Sequence, residues 1–384
     1  MSRFVLHPDR LFDGERFRDD AAVLVEAGRV VAVGPAADMP SDAPVTRAPG
    51  LLAPGFVDVQ VNGGGGVLLN DDPSPAGVAR IAAAHRRFGA TALLPTLITD
   101  THDTMAAALG AVRAAIDAGV PGVIGVHIEG PFLNPARKGV HDPALMRAPD
   151  EADLALLTSS GPGVVMLTLA PERVAKGVIA RLAGAGVRLA AGHTEATVED
   201  LDGARAEGLS GYTHLFNAMP PLGGRAPGPV GAALSERETF CGLIVDLHHV
   251  APASARAAIA AKGAARMMLV TDAMSTVGSD VTEFRLQGRR ILRSGGRLTT
   301  EDGTLAGSDL DMASAVRNTV EALGVPLADA LIMASLTPAT FLGLDHELGR
   351  IAPGYRADFV ALDGGLRATA TWIGGAFERA AERR

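Results

Sequence analysis

A closed (β/α)8 barrel of the TIM-like type, carrying a small β-sandwich made from both ends of the chain, is the α/β fold this sequence predicts. Three observations carry the prediction. Residues 55–345 alternate short apolar runs with Ala-rich stretches, the sign of βαβ units and a parallel sheet. Eight such runs are present, the number a closed barrel requires, whereas an open doubly wound sheet more often has about five to seven. Residues 1–54 and 346–384 instead show strand-and-turn texture, which predicts one small domain built from the two termini around an inserted catalytic barrel at 55–345. A chain of 384 residues has room for both.

Taken in order, the runs at 22–25 and 30–33, joined by EAGR, predict a β-hairpin. Strands this short need partners. The stretches 348–363 and 370–378 have the same texture and are expected to supply them. Inside the middle segment, strands are predicted over 56–61, 90–97, 123–128, 164–169, 187–191, 211–215, 241–245 and 267–270, with helices such as 75–87 and 104–118 between them. The third run is the most telling. Val123, Ile124, Val126 and Ile128 form the apolar, β-branched sequence of a strand covered on both faces, and Glu129 then breaks it before Gly130 and Pro131 turn the chain. A carboxylate at that point suits the mouth of a barrel better than its core. Residues 280–310 have Gly-rich hairpin texture and predict an excursion after the eighth strand.

Composition narrows the function. Hydrophobic residues make up 47% and charged residues 20%, and the 46 glycines suit tight packing of helices on strands. With 35 Lys and Arg against 43 Asp and Glu the net charge is -8, and no basic run is present, so no nucleic acid partner is expected. The single cysteine, Cys241, rules out an intramolecular disulfide and a cysteine-based metal site, and it reads as an inert core residue. The N-terminal stretch has charges every few residues and no apolar signal core, and nowhere do 18 apolar residues run together. A cytoplasmic protein without a membrane partner is expected.

Barrel enzymes place their chemistry where strands end. Those positions hold Gln60 and Asn62, Glu129, His193, His214, Asp246 with His248 and His249, and Asp272. Any one of them alone reads as structural. Two histidines and two carboxylates from separate strands at one rim are hard to ascribe to packing. Glu129, His193 and His214 supply one oxygen and two imidazole nitrogens, the donor set of a catalytic zinc site that keeps a position open for water. Asp272 is then the natural base, its alternatives being a fourth ligand or a helix cap. His127 lies two residues before Glu129 on the same face of the strand and reads as an interior residue. The glycines at 63–66 lack the Lys-Ser or Lys-Thr ending of a phosphate-binding P-loop. Arg225, among Gly and Pro in GGRAPGP, reads equally as a bidentate phosphate grip or as a surface arginine.

Several stretches together are specific: PGFVDVQVNGGGG (54–66), LPTLIT (94–99), GVHIEGPFLN (125–134), KGVHD (138–142), LAPE (169–172), AGHTEAT (191–197), THLFNAMPPLGGRAPG (213–228), VDLHHV (245–250), LVTDAM (269–274), TLAGS (304–308) and LTPA (336–339). Over nearly its whole length the sequence resembles the N-acetylglucosamine-6-phosphate deacetylases of the amidohydrolase superfamily. The resemblance implies the barrel with its small sandwich, a homodimer, and hydrolysis of the N-acetyl amide of N-acetyl-D-glucosamine 6-phosphate, with N-acetylgalactosamine 6-phosphate or another amide as the alternative substrate. It implies that Glu129, His193 and His214 bind metal, that Asp272 is general base and acid, and that His141 polarises the acetyl carbonyl. Asn217, Ala218, Arg225 and His249 fall on substrate positions, Arg225 on a phosphate contact made across the dimer interface. Val140, Leu305, Ala306 and Gly307 fall where backbone meets the sugar. One departure from the wider superfamily matters: Gln60 and Asn62 stand where many members carry a His-X-His pair. Carboxamides are far weaker zinc ligands than imidazole, so one Zn2+ per subunit is expected, with Gln60 and Asn62 at most a weak second metal position.

Overall fold

The structure, a computed structural model, describes residues 3–380; the outermost positions of the two predicted terminal segments, 1–2 and 381–384, lie outside the described residues. Eight parallel strands follow one another around the barrel in chain order: Phe56–Val61, Ala90–Ile98, Gly125–Glu129, Val164–Leu169, Arg188–Ala191, Gly211–Tyr212, Phe240–Leu243 and Met267–Leu269. The residues between them form helices for local reasons. Ser74 accepts from the Gly77 amide at 3.1 Å and Pro75 occupies the first helical position of Pro75–Arg86. Thr101 caps His102–Asp117 in the same way, which starts that helix two residues before the expected 104. The ring closes where the ends of the chain's first and eighth barrel strands meet. The Asp272 amide donates to the Gln60 carbonyl at 2.9 Å, and Val61 bridges Ala273 in parallel.

The later strands are shorter than the expected 187–191, 211–215, 241–245 and 267–270. Backbone conformation is the reason at the sixth, where the chain leaves the ladder after Tyr212 and His214 takes a positive φ of 30°. The four-stranded antiparallel excursion sheet, Glu283–Leu286, Arg289–Ser294, Arg297–Thr300 and Leu305–Ser308, occupies the region of predicted hairpin texture. Its last strand bridges Ala273 through Ser308, so the seam of the barrel continues into this sheet. Leu286, Ile291, Leu298 and Ala306 pack with Val140, Ile98 and Met274, which anchors the excursion sheet over the carboxyl rim.

Strands from both termini form one eight-stranded sheet, in which Phe359–Leu362 pairs antiparallel with Val45–Pro54 and the latter runs parallel to Arg3–Phe12. Its hairpin strands, Ala21–Glu26 and Arg29–Pro35, are longer than expected from EAGR, because Ala27 and Gly28 alone make the turn with φ of 49° and 79°. Period-two alternation splits the strands between two cores. Leu6, Leu52, Phe359 and Trp372 fill the sheet's own cluster, while Leu51, Ala53, Val360 and Leu362 join the barrel core. The sheet curls, since Ala357 bonds the Gly28 turn through its amide and the Gly375 turn through its carbonyl, each at 2.9 Å. Among the described residues no helix is long and apolar enough to cross a membrane.

Candidate active site

Glu129 ends the third barrel strand with its side chain buried, and His193 and His214 follow the fifth and sixth. Glu129 Oε1 lies 3.2 Å from His193 Nε2 and 2.9 Å from His214 Nε2, and the two nitrogens are 3.0 Å apart. Among the described residues these three form the cluster whose donor atoms can share an ion. The chemistry of the donors fits one. His193 Nδ1 lies 2.8 Å from the Arg137 carbonyl, which only accepts, so Nδ1 carries the hydrogen and Nε2 turns a lone pair towards Glu129. Two acceptors facing at 3.2 Å repel, and a cation between them removes the repulsion. The donors of a tetrahedral ion with bonds of about 2.1 Å stand about 3.4 Å apart, close to this triangle. Burial works against ionisation of Glu129; hydrogen bonds from protonated histidines would outweigh it and hold the carboxyl well below the usual range, and a cation between the donors does the same when the imidazoles are neutral.

Three predicted residues share a feature that no residue pattern announces. His193, His214 and Asp272 have φ of 49°, 30° and 53°, a region that costs a non-glycine residue roughly 1–2 kcal/mol. The left-handed turn lets each side chain leave its strand end and point over the barrel mouth. Such outliers cluster at functional sites, where the surroundings over-determine them.

Asp272 is buried, and its Oδ1 accepts from Asn62 Nδ2 at 2.6 Å and from Gln60 Nε2 at 3.2 Å. Gln60 Nε2 also reaches both Glu129 oxygens, at 3.3 and 3.2 Å. The two carboxamides therefore point their NH2 groups at the acids, as hydrogen-bond donors. Burial first, and then the charge of Glu129, push the Asp272 carboxyl up to about 6.

His141 is brought to the same place from the loop after Glu129. Its ring centroid is 4.4 Å from that of His193, and its Nδ1 lies 2.8 Å from Thr99 Oγ1. Burial, reinforced by His193, holds it well below the ordinary histidine value, so it is neutral. His249 is held by Asp246, with Nδ1 2.6 Å from Oδ2, and Asp246 Oδ1 accepts from the His248 and His249 amides. Neither Thr99 nor Asp246 had been given a role from the sequence. A threonine closing LPTLIT and an acid three residues before a histidine are the only signals they offer.

The remaining predicted residues divide. Ala218 has φ of 52°, and the Asn217 side chain folds back to donate to the His214 carbonyl at 3.1 Å. Val140 and Ala306 are buried in the cluster beneath the excursion sheet, with Leu305 half-buried. Gly307 has φ of 58°, and a Cβ there would lie 2.9 Å from the Asp272 carbonyl, so the chain runs against the base. Arg225 is exposed on its loop. His127 is an interior residue, its Nε2 2.7 Å from Thr168 Oγ1, and burial pushes it down to about 4. A cavity of about 890 Å³ lies elsewhere, lined by Arg47, Arg87, Trp372 and Phe377 among others and by none of the site residues.

A parallel barrel that lifts a Glu-His-His cluster and a carboxylate of raised pKa to one rim defines a metal-dependent hydrolase. The profile of the amidohydrolase family matches residues 51–380, and the chain belongs to that family. A short profile described as an imidazolonepropionase-like composite domain of bacteria matches residues 21–44. The N-acetylgalactosamine-6-phosphate deacetylase of Shewanella sp. (strain ANA-3) is 48% identical over 326 residues, 85% of this chain and 82% of that protein. The enzyme of the same name from Escherichia coli O157:H7 is 38% identical over 375 residues, 97% of this chain and 98% of its own. The crystal structure of N-acetylglucosamine-6-phosphate deacetylase from Pasteurella multocida is similar with a TM-score of 0.95 at 30% identity, covering 98% of this chain and 100% of that one.

Proposed function

We propose that this chain hydrolyses the N-acetyl amide of N-acetyl-D-glucosamine 6-phosphate to acetate and D-glucosamine 6-phosphate. The observation that carries the reading is the convergence of Glu129, His193 and His214 beside Asp272, in a chain similar along its length to deacetylases of acetylated amino-sugar 6-phosphates. Glu129, His193 and His214 hold one divalent ion, and a set of one oxygen and two nitrogens suits Zn2+. When bound, such an ion supplies Lewis acidity, polarising the amide carbonyl and lowering the pKa of water from about 15.7 towards 7. Gln60 and Asn62 act as donors to the acids and bind no second ion.

Asp272 takes a proton as the water oxygen bonds to the carbonyl carbon. The developing oxyanion accepts a hydrogen bond from His141 Nε2, which carries hydrogen when the Thr99 hydroxyl donates to Nδ1. Asp272 then passes its proton to the amide nitrogen, the C–N bond breaks, and acetate and amine leave. A carboxyl that burial raises above the ordinary aspartate range is suited to both transfers, being ionised at neutral pH yet a better proton acceptor than an exposed aspartate. Asp246 keeps hydrogen on His249 Nδ1 and leaves Nε2 free for a sugar hydroxyl, alongside Asn217, Ala218 and the backbone at Val140 and Leu305–Gly307. Arg225 grips the phosphate across a homodimer interface, and the enzyme is cytoplasmic. The catalytic domain spans 55–345, with 1–54 and 346–384 as its companion.

A second reading, the galacto epimer, is favoured by the 48% identity to a relative of that name. Acetate release from the two 6-phosphates, the two unphosphorylated sugars and an unrelated N-acetyl amide tests both. The higher kcat/KM identifies the epimer, and no release from either phosphate refutes the proposal.

A further inference from the structure

Gln287 sits at a turn that does not favour it. Leu286 pairs with Arg289 across the hairpin, so Gln287 and Gly288 are the two central residues, with φ of 48° and 82°. Turns of this kind select Asn-Gly or Gly-Gly, because the first position needs the left-handed region. The Gln287 side chain is not used within the hairpin. It crosses to the barrel rim, where Nε2 donates to the Thr99 carbonyl at 2.5 Å and Oε1 accepts from the Asp142 amide at 2.7 Å. Arg289 follows it and donates to the His141 carbonyl at 3.5 Å. Leu286 and Ile291 of the same hairpin pack against Val140.

These contacts surround His141. Thr99 is the residue whose hydroxyl meets the His141 ring, and the Asp142 amide is the peptide immediately after it. We propose that Gln287 is a positioning residue, a clamp from the excursion sheet that fixes the His141 ring relative to the Glu129, His193 and His214 cluster. The proposal rests on the reading of His141 as the donor to the acetyl carbonyl. It accounts for a long amide at a turn that prefers a short one: asparagine keeps the chemistry but stops one methylene, about 1.5 Å, short of both partners.

Gln287→Asn tests this, since it suits the turn and loses the reach. Displacing a catalytic group by about 1 Å can cost up to about 100-fold, so kcat is expected to fall about 10- to 100-fold with KM, bound metal and Tm preserved. Gln287→Gly, which relieves the turn and removes the amide, behaves alike. In a His141→Ala background Gln287→Asn changes kcat by less than about twofold, because a residue that acts only through another has nothing left to act on. Equal losses in both backgrounds, or an unchanged kcat where His141 is intact, overturn the clamp. Full activity in His141→Ala alone overturns the carbonyl-donor reading, a failure distinct from the first.

Discussion

Replacing Asp272 with asparagine separates the proposed base from the proposed metal ligands. The substitution is isosteric, and its consequence follows from the neighbours. Asn62 and Gln60 both donate to Oδ1, at 2.6 and 3.2 Å, so the new carbonyl oxygen stays on them and the new NH2 takes the place of Oδ2. Geometry is kept and the proton acceptor is lost. General acid–base catalysis contributes about 10²- to 10⁴-fold, so kcat should fall by that factor, about 2.7–5.5 kcal/mol of barrier. Glu129, His193 and His214 are untouched, and elemental analysis should find as much metal as in the native enzyme. The pH profile gives a second reading of the same step. The base has to be ionised, so activity is present above the Asp272 pKa and is lost as pH falls through it. That carboxyl is pushed up to about 6, partly by the charge of Glu129, and a bound cation offsets this charge and moves the acid limb lower. In the asparagine variant this limb disappears. A loss below about tenfold with metal intact, or an unchanged acid limb, refutes the assignment.

Metal analysis of the native protein should return one divalent ion per chain, removed by chelation together with activity; two fully occupied ions would falsify the donor role given to Gln60 and Asn62. Arg225→Ala should raise KM for the 6-phosphates while leaving the unphosphorylated sugars unaffected, and equal losses on both sugars argue against a phosphate contact. Asp153 offers a test of stability. Burial opposes its ionisation, but Arg147, which donates to both of its oxygens, together with the Asp150 amide and His102, holds the carboxyl below the usual range. A depressed folded pKa contributes stability that is fully present above the unfolded value near 4 and is exhausted only once pH has fallen through the folded pKa, so Asp153→Asn should cost about 2–3 kcal/mol at pH 7 and a smaller but still substantial amount at pH 3. Urea unfolding at the two pH values measures this, and a gap of equal size at both contradicts it.

The barrel was legible because its strands are buried on both faces and its helices are Ala-rich, so the two textures alternate visibly. Glu129 stood out because a carboxylate interrupts a β-branched run. The rim residues share a place because strand ends fix which positions meet, and the spacing of strands is readable. Distances between those side chains were not. They depend on left-handed backbone at His193, His214 and Asp272, which residue identity opposes and tertiary contacts impose. Gln287 was hidden for the same reason, since a turn signal gives no hint that the side chain crosses to Thr99. The early ends of the later strands also escaped, because apolar residues such as Ile244 and Val245 remain buried after the ladder has stopped. Arg225, conspicuous among Gly and Pro, is the opposite case: its motif is plain, and the residue stands exposed on its loop.

Gln60 and Asp272 touch across the seam of the ring although 212 positions separate them in the chain. Joining such distant segments costs more loop-closure entropy than pairing neighbouring strands. Glu129, His193 and His214 belong to the third, fifth and sixth staves, 21 to 85 positions apart, so they meet at a lower loop-closure cost than the pair at the seam. The proposed proton carrier, Asp272, follows the last stave. If Asp272 carries the proton, turnover reports closure of the whole ring.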